Sequence, residues 1–447
     1  MRYDRPRMKV LLATMQFGRG YGQGTERYVA MLADGLRRRG HDVVILAGDP
    51  ERRGPALPLG TEFEHEPRTL YYPTRGRLSV QGLAPRRLMP ILERQQPDVV
   101  HVANPGHIGV GLMQAARTRA VPVVVTIMDY WWLCPKHTLL HYRGGICDGN
   151  VPWLECIRCT GASDRRRWLR TVAHVPGLRE TVISTLYFAR ALLGGSSPAE
   201  IIRWTRRQRF LTAALNSANA VICLSQGARA RLAPRLSRPR LHTIVVGLEP
   251  RWFGAQRSAA WDLAPRDPAK LTLGFVGALA EHKGPHLLLE AVRQLGWTAT
   301  RVRLAGGGTD ARYGRRLRAL AEGLNVEWLG RVPSEQVPAL LAGLDLLVVP
   351  SIWPENLPQT VLEAQAVGVP VVASRVDGIS EVISDATLLF DVGSAPSLAR
   401  CLADWTAAPR NPPPATPVRT ADEMVAQTLE VYAASRAGQR NVATDCR

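Results

Sequence analysis

Two carboxylates open the chemical reading. In PENLPQTVLEAQAVGVPVVAS, residues 354–374, Glu355 and Glu363 stand eight positions apart, in a chain whose formal net charge is +19. LDLLVVPS before them and VVAS after them read as strands, and the segment between reads as a short helix. That helix starts near Pro358, which suits a first turn because no N–H is needed there, and Gly368 and Pro370 end it. Glu355 then sits in a loop at the carboxyl end of a strand, where open parallel sheets bind ligands. The free N–H groups of a helix start make an anion site. A carboxylate accepts hydrogen bonds from vicinal hydroxyls. Diphosphate on the helix, a ribose diol on one acid and a second sugar on the other would together describe a nucleotide sugar. The plainer alternative makes Glu355 a surface-loop acid and Glu363 a solvent-facing helix acid.

The elements that must position these residues alternate along 447 residues. KVLLATMQF (9–17) reads as a buried strand, and the glycine-rich loop GRGYGQG (18–24) follows. TERYVAMLADGLRRRG has helical apolar spacing, with Thr25 as N-cap and Gly40 as stop. HDVVILAG, DVVHVA and VPVVVTI continue the strand pattern. A second block runs from about 271: LTLGFVGAL, HLLLEAVRQL, VRLAGGG, RRLRALAEGL, VEWLG, VPALLAGL, LDLLVVPS, VLEAQAVG, VPVVAS. Strand–helix alternation of this kind predicts α/β architecture, with two Rossmann-like, doubly wound domains. The expected boundaries are 1–245, 246–408 and a tail at 409–447, with PRNPPPATP as linker and a helix crossing back. Between about 134 and 218 the alternation stops, which reads as an insertion rich in cysteine and arginine.

With those motifs in order, SIWPENLPQTVLEAQAVGVPVVAS resembles the glutamate–seven–glutamate signature of family-4 retaining glycosyltransferases of the GT-B architecture. FVGALAEHKGPHLLLEA, VRLAGGGTD, VEWLGRVPSEQVPALLAGLDLLVVPS, DGISE and GQGTERYVAMLADGLRRRGHDV carry the resemblance across most of the chain. It implies that Glu363 holds the ribose and Glu355 the transferred sugar, with the Asn356 and Leu357 amides nearby. It implies that Lys283 meets the diphosphate as a point charge. It further implies that the two domains face a central cleft, where Gly277 would admit the phosphates, Val332 would offer backbone atoms to the base, and Gly24 would face the same cleft from the first domain. The resemblance also implies retention of anomeric configuration by front-face attack. No catalytic metal is expected, because Lys283 and helix amides stabilise the leaving diphosphate. Two positions depart from the family. Ala278 stands where an arginine is frequent, and Met128, in TIMDYWW, where a histidine is frequent; Asp129 beside it is kept. His101 reads equally as structural or functional. The implied activity is transfer of a sugar to a polysaccharide, glycan or lipid-linked acceptor in envelope glycan synthesis. The alternatives are a soluble transferase making a small glycoside, or a catalytically idle GT-B scaffold, motivated by Met128 and Ala278.

Cys134, Cys147, Cys156 and Cys159 lie within 26 residues in the pattern C-x12-C-x8-C-x2-C. The spacing suits a structural zinc knot; an iron–sulfur or redox role and free thiols remain open. Residues 1–245 hold 37 Lys+Arg against 17 Asp+Glu, and the remainder 20 against 21. A genome-wide arginine bias does not explain that asymmetry. The segment 165–240 is densest, and IIRWTRRQRFLTAAL puts Ile202, Arg206, Arg209 and Phe210 at helical spacing beside Trp204. This fits an interfacial helix on an anionic membrane or a solvated helix packing through its apolar side. Nucleic acid is excluded as a partner, since no helix-turn-helix or aromatic-lined strand accompanies the charge. No apolar run of membrane-spanning length and no secretory signal occurs, so a cytoplasmic or membrane-peripheral location is expected.

Overall fold

The computed structural model describes residues 7–18, 24–48, 59–63, 66–72, 82–162 apart from 107 and 109, 198–253, 266–407 apart from 309, and 418–444, together with 185, 188 and 189. The described residues form two compact units. One comprises the chain to Leu224 with Ala228–Ile244 and Asp422–Arg447, the other Ser225–Gly227 with Val245–Ala421. Residues 163–197 of the cysteine- and arginine-rich insertion, apart from 185, 188 and 189, residues 19–23 of the first glycine-rich loop and the 409–417 linker lie outside the described residues.

The first unit is built on an eight-stranded sheet of order β3-β4-β2-β1-β5-β6-β7-β8. Its strands are β1 (Lys9–Thr14), β2 (Asp42–Gly48), β3 (Thr61–Phe63), β4 (Glu66–Tyr72), β5 (Val99–Val102), β6 (Val123–Ile127), β7 (Ala220–Cys223) and β8 (Arg240–Thr243). All pairings are parallel except β3 with β4. β5, β6 and β7 are buried at every position, the mark of parallel strands covered on both faces. Helices α1 (Gly24–Arg38), α2 (Pro85–Gln95), α3 (Gly111–Thr118), α4 (Trp153–Ala162), α5 (Pro198–Thr205), α6 (Arg207–Asn216) and α7 (Gln226–Leu232) join them. Thr25 is not the N-cap expected of it: α1 already includes Gly24.

The second unit has a six-stranded, all-parallel sheet of order β11-β10-β9-β12-β13-β14. Its strands are β9 (Thr272–Val276), β10 (Arg301–Ala305), β11 (Val326–Gly330), β12 (Leu346–Val349), β13 (Val371–Ser374) and β14 (Leu389–Phe390). Its helices are α8 (Pro285–Gln294), α9 (Ala311–Ala321), α10 (Val337–Ala342), α11 (Gln359–Val367), α12 (Asp377–Ser380) and α13 (Ala395–Ala407).

The C-terminal helix α14 (Ala421–Thr444) packs into the first unit from Asp422 onward. His101, on β5, is wholly buried, with Nδ1 2.6 Å from the Tyr432 hydroxyl and Nε2 2.7 Å from Thr126 Oγ1. Burial holds this imidazole neutral, its pKa lowered from 6.5 to about 3. Both ring nitrogens are used within the core, so His101 is a structural residue. Arg436 adds a 2.7 Å hydrogen bond to Asp98.

Both sheets reverse direction once. The chain moves from β1 outward to β2 and then returns to place β5 on the other flank of β1. In the second unit the reversal lies between β9 and β12. Ligands of doubly wound sheets bind outside the carboxyl ends of the strands at such reversals. The chemistry of each unit is therefore sought in the loops after β1, β5 and β6, and after β9 and β12.

Candidate functional site

The loop after β12, Pro350–Pro358, carries Glu355. Its carboxylate is buried, and a single oxygen, Oε1, collects three donors. Lys283 Nζ is 2.6 Å away, Ser351 Oγ 2.7 Å and Trp353 Nε1 2.8 Å. Lys283 comes from the 3-10 turn Glu281–Lys283 that follows β9, so residues from both strands flanking the reversal meet on one oxygen. The ammonium also lies 4.9 Å from the centre of the Trp353 ring, a cation–π contact. Lys283 keeps 26% of its side chain exposed while Glu355 keeps 5%. The lysine is thus the member of the pair that meets solvent.

The backbone of this loop is clamped at two glycines. Gly284 has φ +69, and a Cβ there would stand 1.9 Å from the Pro350 carbonyl oxygen. A Cβ on Gly378, in α12, would stand 2.1 Å from the carbonyl oxygen of Asn356, while the Gly378 N–H donates to the Glu355 carbonyl at 3.1 Å. Ile352 N–H donates to the His282 carbonyl at 2.9 Å, and the His282 and Trp353 rings pack edge to face at 5.5 Å. Neither glycine stood out in the sequence as a site residue, because the contact each permits joins segments far apart in the chain.

Pro358 is the N-cap of α11, without a side-chain cap, and Gly368 ends the helix at φ +82. The first turn of α11 is therefore a place where an anion can meet main-chain N–H groups. Glu363 lies on α11 and is 1% exposed; Glu355 is 3% exposed. Neither acid has the solvent-facing character of the plainer sequence alternative. Asn356 is buried and accepts from Ser225 Oγ at 3.3 Å, and Leu357 is buried beside it. Gly277, with φ +157, closes β9 under Gly306, where a Cβ would lie 1.7 Å from the Gly277 carbonyl oxygen. Val332 follows β11 and is half-buried. Arg331 beside it reaches over Gly307. It is a second cation at the same carboxyl edge, in a unit where Ala278 offers none.

The remaining candidates belong to the first unit. Gly24 begins α1 and is exposed. Asp129 caps the 3-10 turn Tyr130–Trp132, accepting from Trp131 N–H at 2.8 Å. Its other oxygen receives His137 Nδ1 at 3.0 Å and Asn104 Nδ2 at 3.4 Å. Met128 carries no such nitrogen, and His137, nine positions on, was not singled out by sequence pattern.

Local structure draws the cysteines toward one another. Cys134 follows the turn capped by Asp129. Cys147 N–H bonds the Leu139 carbonyl at 2.7 Å, and Cys156 and Cys159 are three apart on α4. Burial raises the thiol pKa of Cys156 to about 12, reinforced by the negative charge of neighbouring thiolates, and moves Cys147 and Cys159 upward as well. Among the described residues, however, no group of three or more His, Cys, Asp or Glu side chains is arranged to hold a metal ion. The structure therefore does not support the zinc knot expected from the cysteine spacing, and none of the four cysteines is in a disulfide. Trp204 is buried at 4% exposure, whereas Ile202 is 56% exposed. Arg207 is 6% exposed, donates to the Trp131 carbonyl and stacks over the Trp131 ring at 4.9 Å.

Comparison with known proteins follows this geometry. The profile described as "Glycosyl transferases group 1" matches residues 264–415, and that of "Glycosyltransferase Family 4" matches residues 22–146. The putative colanic acid biosynthesis glycosyltransferase WcaL of Escherichia coli K12 is 37% identical over 131 residues, 27% of this chain and 31% of that protein. D-inositol 3-phosphate glycosyltransferase of Mycobacterium sp. strain KMS is 25% identical over 284 residues, 62% of this chain and 57% of that protein. The match spans about a third of the length of WcaL and of several other curated relatives. Among solved structures, Anabaena HepE in complex with UDP and glucose superposes with a TM-score of 0.58 at 18% identity, covering 98% of this chain and all of that one. A glycosyltransferase from Rickettsia africae gives 0.59 at 15% identity, over 96% and 99%. The fold is that of the GT-B glycosyltransferases.

Proposed function

The chain belongs to the family-4 glycosyltransferases, and on that premise we propose that it transfers a sugar, with retention, from a nucleotide-sugar donor to a glycan or lipid-linked acceptor in cell-envelope glycan synthesis. The observation that carries the reading is the meeting of Lys283, Ser351 and Trp353 on one buried oxygen of Glu355, at the strand reversal of the second sheet and just ahead of the α11 N-terminus. The donor diphosphate takes the first-turn N–H groups of α11 and the exposed side of Lys283. Glu355 accepts hydroxyls of the transferred sugar, and Glu363 those of the ribose. As the anomeric carbon–phosphate oxygen bond breaks, negative charge grows on the diphosphate, where Lys283 and the helix amides stabilise it. The acceptor oxygen bonds the same face of that carbon, and its proton passes to the departing phosphate oxygen.

The acceptor side of the proposal includes an anionic membrane surface. Support comes from the exposed Ile202 on a helix whose neighbouring Arg206 and Arg209 are also exposed. Among the described residues no helix is long and apolar enough to cross a membrane. The test of the donor reading is thermal stabilisation by nucleotide sugars. UDP-glucose is the first probe, because the similarly folded HepE was solved with UDP and glucose. Stabilisation that Lys283→Ala and Glu355→Gln abolish is the expected result. A panel of nucleotide sugars that leaves the wild-type midpoint unmoved would reject the proposal.

A further inference from the structure

The strand reversal of the first sheet carries its own cluster of polar groups. The loops after β5 and β6 bring Asn104 and Asp129 together. The Asp129 carboxylate takes Trp131 N–H on one oxygen and His137 Nδ1 and Asn104 Nδ2 on the other. Asn104 is itself buried and has its own carbonyl oxygen occupied by the Gly106 N–H at 3.0 Å. A carboxylate only accepts, so the nitrogen of His137 that faces it is the protonated one. In the neutral ring the opposite nitrogen, Nε2, then presents a lone pair. His137 keeps 37% of its side chain exposed, and among the described residues Nε2 makes no hydrogen bond.

From this pairing we infer that His137 Nε2 accepts a hydrogen bond from a hydroxyl of a neutral sugar acceptor, with Asp129 as the positioning residue that fixes the ring. Three features separate His137 from a histidine that merely fills space. His101, one strand away, is wholly buried and spends both nitrogens on core hydroxyls; His137 has one nitrogen fixed and offers the other. The backbone of His137 is held at φ +67 and that of Leu139 at φ +54. Left-handed conformations at side-chain-bearing residues are strained and persist where the surroundings impose them. The surroundings here are explicit. His137 N–H bonds the Cys134 carbonyl at 3.0 Å, Cys147 N–H the Leu139 carbonyl at 2.7 Å, and Lys136 Nζ the Leu140 carbonyl at 3.2 Å. A bridge from Leu140 to Ile146 closes the loop. The third feature is position: the cluster sits in the loops beside the reversal, where this class of sheet receives ligands.

The tautomer selects the ligand. A lone pair meets an O–H donor and repels a phosphate oxygen, so a neutral hydroxyl is the partner. That the hydroxyl belongs to a sugar rests on the transferase reading above. The test uses the full-length protein with isotope-labelled histidine, the His137 signal being assigned by its disappearance in His137→Gln. The expected spectrum has the proton on Nδ1. A series of methyl hexopyranosides should include at least one that shifts the His137 ring resonance saturably. Asp129→Asn, which retains a capping oxygen, should weaken that binding about tenfold and redistribute the tautomers, with inorganic phosphate causing no shift. No response to any pyranoside, or an equal response to phosphate alone, overturns the inference. Donor stabilisation by UDP-glucose, measured on the same His137→Gln sample, should remain at the wild-type value. Loss of glycoside binding alone therefore indicts this assignment, whereas absence of donor stabilisation in the wild type indicts the transferase reading.

Discussion

Glu355 is the residue whose removal is most informative, because its cost follows from named partners. Glu355→Ala deletes the acceptor of three donors. The Ser351 hydroxyl is fully buried but can rotate to another acceptor, and Lys283 reaches water, so its loss of a partner costs little. The Trp353 indole N–H has neither escape at 9% exposure, and an orphaned buried donor costs about 1–3 kcal/mol. Adding the lost carboxylate bonds and packing puts the alanine variant at roughly 2–4 kcal/mol. Glu355→Gln keeps an oxygen near the same place and loses only the charge assistance, about 1 kcal/mol. For a unit of this size 1 kcal/mol moves the midpoint by about 2–4 °C. Calorimetry should accordingly find the second unit's transition lowered by roughly 4–15 °C in the alanine variant and by about 2–4 °C in the glutamine variant. Both variants should lose stabilisation by UDP-glucose. An alanine variant that melts with the wild type would refute the argument, since the buried Trp353 N–H cannot lose its acceptor without cost.

Other outcomes follow from the same structure. Gly378→Ala places a methyl group against the Asn356 carbonyl oxygen at 2.1 Å; it should destabilise the second unit by about 2 kcal/mol or more and weaken donor stabilisation, as read in the same melts. Burial lowers the His286 pKa from 6.5 to about 4, with Arg316 adding to the effect. Unfolded chains therefore bind more protons between those values, and stability contributed by neutral His286 is present above pH 6.5 and lost as pH falls toward 4. The loss is on the order of 3 kcal/mol, and urea midpoints of the second unit should show it and show it reduced in His286→Gln. Cys156, raised to about 12, should react with iodoacetamide at pH 8 about a thousandfold more slowly than an ordinary thiol, as measured by peptide mass spectrometry in the native state. Equal rates would place that thiol in water.

Most of the elements and their order were legible in the sequence. Alternating apolar strands and helices separated by glycine and proline are local signals, and they predicted β1, β2, β5 and β6 of the first sheet, β9 to β13 of the second and the helix from Pro358 to Gly368; β3, β4, β8 and β14 were not read, being short or, in β4, interrupted by proline and arginine. The glutamate pair was legible too, because eight residues across one loop and a helix start is a short-range pattern. What tertiary structure decided are contacts between distant segments. Glu355 and Lys283 are 72 positions apart, and only the adjacency of β9 and β12 makes one the partner of the other. Gly284 and Gly378 looked like ordinary loop residues until the carbonyl oxygens of Pro350 and Asn356 arrived beside them. Spacing suggested a metal for the cysteines, but among the described residues no group of three or more His, Cys, Asp or Glu side chains is arranged to hold one. His137 escaped notice for the converse reason: its backbone turns into a left-handed conformation that its own sequence does not favour, and the surrounding loop, rather than local preference, holds its ring against Asp129.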